Sequence, residues 1–191
     1  MHQTSLSPSS QFSLLRGYTS FAVMLLGALA LIVPSGYSIG ALLLLLGSFT
    51  LLFTRTNKKL DRSDWKVVGV LTFFASVGVF EAWSDGQGLS GIDKPLRFLL
   101  VIPVIALILA HPPRLAWLWS GLALGGIAVG GWGAWQKLVL GVERAGGYTH
   151  VIQFGNISML TGILCLAGMG WAVTQKNSKW WLLLLGLGAV G

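Results

Sequence analysis

From Val151 to Val173 the chain runs without a single Asp, Glu, Lys or Arg. Wound as a helix, that stretch is about 35 Å long, enough to cross the roughly 30 Å hydrocarbon layer of a bilayer. Similar runs, free or nearly free of charge, recur at about Gly17–Val33, Ile39–Phe53, Val67–Trp83, Pro95–Ala110 and Leu115–Leu140, and a last one starts at Trp180. Inside lipid no water satisfies backbone amides and carbonyls, so each run must bond to itself as a helix. A membrane barrel would show short alternating segments instead, and these runs are continuous. The expected fold is therefore all-α: a polytopic transmembrane helical bundle of about seven spans, forming one domain over residues 1–191.

Composition agrees. Charged residues make up 10% of the 191, hydrophobic ones 54%, and the mean hydropathy is +0.74; a soluble domain carries about 25% charged residues. The run from Trp180 to Gly191 reaches only about 18 Å, so the last span is expected to be incomplete and the chain to be the N-terminal half of a longer protein. The Ser-rich opening "MHQTSLSPSSQFSLLRG" could head a signal peptide cut after "ALA" at 28–30. Its single basic residue, Arg16, and the length of the following run favour a retained span. Cys165 is the sole cysteine, which excludes an internal disulfide.

The net charge of +7 would point a soluble protein toward nucleic acid. Here the basic residues lie between spans and read as anchors at the bilayer surface, with no nucleic-acid partner. One set of loops holds Arg16, Arg55, Lys58, Lys59, Arg62, Lys66, Arg114, Lys176 and Lys179; the other holds Lys94, Arg97, Lys137 and Arg144. That bias predicts a cytoplasmic N-terminus. The outer side would also carry Glu81, Asp85, Asp93 and Glu143, a mixed charge that anchoring alone explains less well. The fifth run repeats glycines four apart, Gly121 with Gly125 and Gly126 with Gly130, a spacing that lets helix backbones approach closely. Trp65, Trp83 and Trp180 fall near predicted ends, as interface aromatics do.

Polar side chains concentrate in "ERAGGYTHVIQFGN", from Glu143 to Asn156. Arg144 offers a permanently charged planar fork suited to phosphate. Gly146 and Gly147 allow a tight turn. Gln153 and Asn156 share a helical face in the first turns of the sixth run, where the helix dipole favours an anion. His150 is a weak candidate for a general base, since its ordinary pKa lies near 6.5. A second basic cluster, "GIDKPLRFLL", opens the fourth run on the same side. Lys94 and Arg97 share a face there, Asp93 can pair with Arg97, and Pro95 is expected in the first helical turn with Asp93 as its N-cap. Three scattered His and one Cys offer no metal-ligand spacing, and no phosphate-loop or dinucleotide glycine motif is present.

"RAGGYTHVIQFGNISML" after a Gly-rich span resembles the motif of the O-antigen ligase and O-antigen polymerase superfamily, and "DKPLRFLL" is similar to a second signature of that group. The resemblance covers essentially the whole chain and leans toward the ligase. It implies a bacterial inner-membrane enzyme of the C-type glycosyltransferase architecture, working on the periplasmic side. It implies metal-independent, inverting transfer of a glycan from an undecaprenyl-diphosphate carrier to lipid A-core, with no cofactor. Arg144 would then hold the lipid-linked diphosphate, helped by Lys94 and Arg97, with Gln153 beside it. Family members carry their proposed catalytic histidine in a later periplasmic loop, so the general base is expected beyond residue 191. An O-antigen polymerase or a protein O-oligosaccharyltransferase would use the same donor with another acceptor. A small transporter or membrane scaffold is the non-enzyme alternative; it predicts ionisable residues at mid-membrane, which the runs lack apart from Lys137 and Glu81 near their ends.

Overall fold

The computed structural model describes residues 8–53, 61–86, 88–148 and 150–191, and every regular element among them is helical. Four helices are long and apolar enough to cross a bilayer: α1 (Pro8–Leu29), α4 (Arg62–Ser84), α7 (Leu115–Leu138) and α8 (Val151–Val173). The second run yields a shorter α2 (Gly36–Ser48) and one turn, α3 (Thr50–Phe53). At the break the hydroxyls of Ser48 and Thr50 donate to the carbonyls of Leu45 and Gly47, both at 2.6 Å, so local bonding competes with the helix ladder. The last run forms α9 (Ser178–Val190), also short.

The fourth run departs from expectation. Helix α5 begins at Gly88 and ends at Leu96, a 3₁₀ turn follows over Arg97–Leu100, and α6 covers Val101–Ala110. Pro95 therefore sits near the end of a helix and Asp93 inside it; neither starts one. Gly86 and Gly88 take left-handed backbone at φ +64° and +65° and turn the chain well before the proline. Pro95 then has no N–H to give the carbonyl four residues back, and the backbone tightens into 3₁₀ geometry just after it. Helix α1 also starts earlier than hydropathy indicates, because Ser and Gln extend a helix at its polar entrance and Pro8 suits the first turn.

The chain divides into two compact units, Met1–Leu43 with Pro113–Gly191, and Leu44–Pro112. In the first, α7 packs against α1, α8 and α9. The glycine spacing does what it promises. Gly121 and Gly125 lie against the backbone of α1 at Met24 and Gly27, and Gly126 and Gly130 against Gly188 and Gly191 at the end of α9. A methyl at any of the four would collide with a neighbouring backbone. Buried Ala123, Cys165, Ala172 and Leu185 form the core between α7, α8 and α9. In the second unit α4 packs on α5 and the 3₁₀ turn, with Phe74 and Phe98 edge to face at 4.9 Å. Phe73 is 71% exposed and Trp83 73%; large apolar side chains left out in this way belong in lipid.

Candidate functional site

Two helix ends shape the connection between α7 and α8. Helix α7 unwinds at Leu138: the Leu140 N–H reaches the Trp135 carbonyl at 3.3 Å and the Val142 N–H the Gln136 carbonyl at 3.1 Å. Gly141, at φ +65°, makes that reversal without steric cost. At the far end His150 caps α8, its Nδ1 accepting the Ile152 N–H over a long 3.4 Å, while its carbonyl takes the Phe154 N–H at 2.9 Å.

Between these ends the chain is clamped. The Gln136 side-chain oxygen accepts the Gly146 N–H at 2.8 Å, and the Trp132 indole N–H reaches the Gly146 carbonyl at 3.4 Å. Trp132 also stacks on Tyr148, with centroids 6.5 Å apart. Gly147 lies so close to the body that a Cβ would come within 2.7 Å of the Phe154 ring and 2.9 Å of the Leu31 carbonyl oxygen. Phe154, Leu31 and Val129 form a buried cluster directly beneath, with Trp132 and Ala145 packed on it. An irregular segment thus has both polar backbone groups of Gly146 bonded and a hydrophobic floor.

Arg144 rides on this clamp. It is exposed, and among the described residues its guanidinium has no ion pair or hydrogen bond. Lys137 adds a second positive charge, its ammonium 3.3 Å from the Glu143 carbonyl oxygen. Gln153 and Asn156 are exposed in the first two turns of α8. His150 is exposed, and with Nδ1 turned to the Ile152 amide its Nε2 is the nitrogen left open.

The second cluster is built differently. The Arg97 guanidinium forms an ion pair with the Asp93 carboxylate one turn earlier, and both side chains are more than half exposed. The pairing is the one expected from the spacing; the capping role of Asp93 is not. Lys94 lines an open cleft of about 300 Å³ with Glu81, Gly78, Pro95, Phe74 and Phe98. On the other flank of the α4–α5 pair an apolar groove of about 480 Å³ runs past Val79, Phe80 and Leu96. The hydroxyls of Thr72 and Ser76 along it donate back to their own helix at 2.8 Å, so the groove suits hydrocarbon better than charge.

Arg144, His150 and Gln153 therefore belong to the first unit, and Lys94 and Arg97 to the second. Thr149 falls outside the described residues. Sequence reasoning missed Gln136 and Trp132. Their only signal is a polar amide and an indole within the last two turns of an apolar helix. Among the described residues no three His, Cys, Asp or Glu side chains group as metal ligands would.

No family model and no solved structure matches the chain. An uncharacterised Haemophilus influenzae protein is 29% identical to it over 131 residues. The match covers 68% of this chain and 33% of that protein, so the chain spans about a third of the relative's length.

Proposed function

We propose that this protein is a membrane glycosyltransferase of the O-antigen ligase type, with Arg144 holding the diphosphate of a polyprenyl-linked glycan. The observation that carries the reading is an exposed arginine with no ion pair or hydrogen bond among the described residues, mounted on a turn that Gln136 and Trp132 bond and Gly147 packs against the body. Support comes also from the motif resemblance, from four helices fit to span a bilayer, and from a bacterial relative. In this reading the bundle has the C-type glycosyltransferase architecture, its spans sit in the bacterial inner membrane, and the clamped turn faces the periplasm.

The chemistry needs a stabilised leaving group. An acceptor hydroxyl oxygen on lipid A-core bonds to the anomeric carbon of the glycan as the bond from that carbon to the phosphate oxygen breaks. The electron pair leaves with the diphosphate carrier, and the hydroxyl proton passes to a base. A guanidinium already in position meets the growing negative charge with little reorganisation, which is where such groups contribute most. Its two N–H rows can bond phosphate oxygens in parallel. Lys137 raises the local positive potential, and Gln153 offers an amide to the same anion.

The test is transfer of carrier-linked glycan to lipid A-core by the full-length protein in membrane vesicles. Arg144→Ala is expected to lose at least about a hundredfold in rate, the scale of removing one positioned donor at a developing oxyanion, at unchanged protein level. Normal transfer by that variant overturns the assignment. Transfer to a growing glycan or to a protein Ser instead would keep the donor site and move the acceptor.

A further inference from the structure

At the opposite end of the first unit four cations gather with no acid among them. Arg16 lies in α1, and its carbonyl accepts the Ser20 hydroxyl at 2.6 Å; the same hydroxyl oxygen accepts the Arg114 N–H at 2.9 Å. That shared hydroxyl places the entry of α7 beside α1, where Phe21 and Trp117 meet edge to face at 6.4 Å. Trp119 of α7, Trp171 of α8 and Trp181 of α9 then pack in series, with centroids 6.4 and 4.9 Å apart. Arg114 precedes this aromatic joint, Lys176 lies in the turn between α8 and α9, and Lys179 in the first turn of α9. All four cations are exposed, and among the described residues none has an ion-pair partner. The unit's one described acid, Glu143, lies past the other end of α7, about 36 Å of helix away. Trp180, beside Lys179, is 73% exposed.

We infer that this end is a binding surface for anionic phospholipid headgroups. Two guanidinium groups and two ammonium groups, in α1 and at the ends of α7, α8 and α9, present positive charge to phosphate oxygens, without the cost of breaking internal salt bridges. Trp180 supplies the amphipathic ring that settles at headgroup depth. A zwitterionic headgroup brings a compensating cation and gains less. The surface is independent of glycan transfer and concerns residues on the other end of the unit from Arg144.

The full-length protein in nanodiscs containing phosphatidylcholine and phosphatidylglycerol tests it, with retained lipid read by native mass spectrometry. Each basic residue at a charged surface favours the anionic lipid by roughly fivefold, so wild type should enrich phosphatidylglycerol by tenfold or more. Lys176→Gln with Lys179→Gln, both exposed at the junction of α8 and α9, should cut the enrichment severalfold, and adding Arg16→Gln and Arg114→Gln should bring it near parity. Lys176→Arg with Lys179→Arg should keep it, and Lys137→Gln at the far end should leave it unchanged. Millimolar inorganic phosphate should not displace the lipid. Undiminished enrichment in the Lys176/Lys179 double variant overturns the proposal. So does an equal loss in Lys137→Gln, which would mean net charge alone is felt, or displacement by free phosphate.

Discussion

Arg144 and Arg97 stand in similar sequence settings and in opposite electrostatic ones. Each lies shortly before a long apolar run and within four residues of an acid on its N-terminal side. Arg97 has its carboxylate four residues back on the same helical face, so its charge is answered before any ligand arrives. Arg144 follows an acid directly, yet its irregular backbone gives Glu143 no ion pair with it among the described residues. The support differs too. Arg97 begins a 3₁₀ turn after a proline, whereas Arg144 is carried by a segment bonded and packed on both sides. An arginine serves an anion best when its backbone is held and its charge is unspent.

Several substitutions can break that contrast. The largest effect belongs to Arg144→Ala, with transfer falling at least about a hundredfold; Arg144→Lys should recover part of it, because charge returns without the bidentate fork. Next is Gly147→Ala, whose methyl meets the Phe154 ring and the Leu31 carbonyl. Overpacking of this kind costs about 1–3 kcal/mol, so thermal unfolding should drop and transfer fall with it. Gln136→Ala strips the Gly146 N–H of its acceptor, at about 1 kcal/mol, and should lower transfer while leaving the helices intact by circular dichroism. In the second unit Arg97→Ala should stay within about threefold of wild type, as exposed ion pairs contribute little. If Arg97→Ala proves as damaging as Arg144→Ala, the contrast drawn from Asp93 is wrong.

The smallest effect concerns pH. His111 ends α6 and is buried, and burial pushes its imidazole below the usual value near 6.5. The unfolded chain then binds the proton more readily than the folded one, so stability is full above about pH 6.5 and declines as pH falls through the window beneath it. Thermal unfolding in detergent at pH 7.5 and 5.5 should show the drop in wild type, reduced in His111→Asn.

The long helices were legible because their limits are chemical. Helix α8 runs from Val151 to Val173 as hydropathy indicates, bounded by a Gly-rich turn and a polar one. The glycine spacing in α7 likewise foretold its close packing. The fourth run was misread because Pro95 looks like a helix start, while the left-handed glycines at 86 and 88 had already begun one. The clamp under Arg144 was hidden for another reason. A bond from Gln136 to Gly146 depends on how the intervening turn folds, and no spacing rule encodes that. Nor can spacing say which clusters share a body: Arg144 and Gln153 belong to one unit, Lys94 and Arg97 to the other.

Binding of the carrier tests the central claim without requiring turnover. The full-length protein in nanodiscs would be titrated with undecaprenyl diphosphate and with undecaprenyl monophosphate, comparing wild type, Arg144→Ala and Arg97→Ala. An unspent guanidinium on a held turn predicts a loss of diphosphate affinity of at least about tenfold for Arg144→Ala, the scale of one charge-assisted contact, a smaller loss for the monophosphate, and little change for Arg97→Ala. Equal affinities in wild type and Arg144→Ala, or a larger loss in Arg97→Ala, would contradict it.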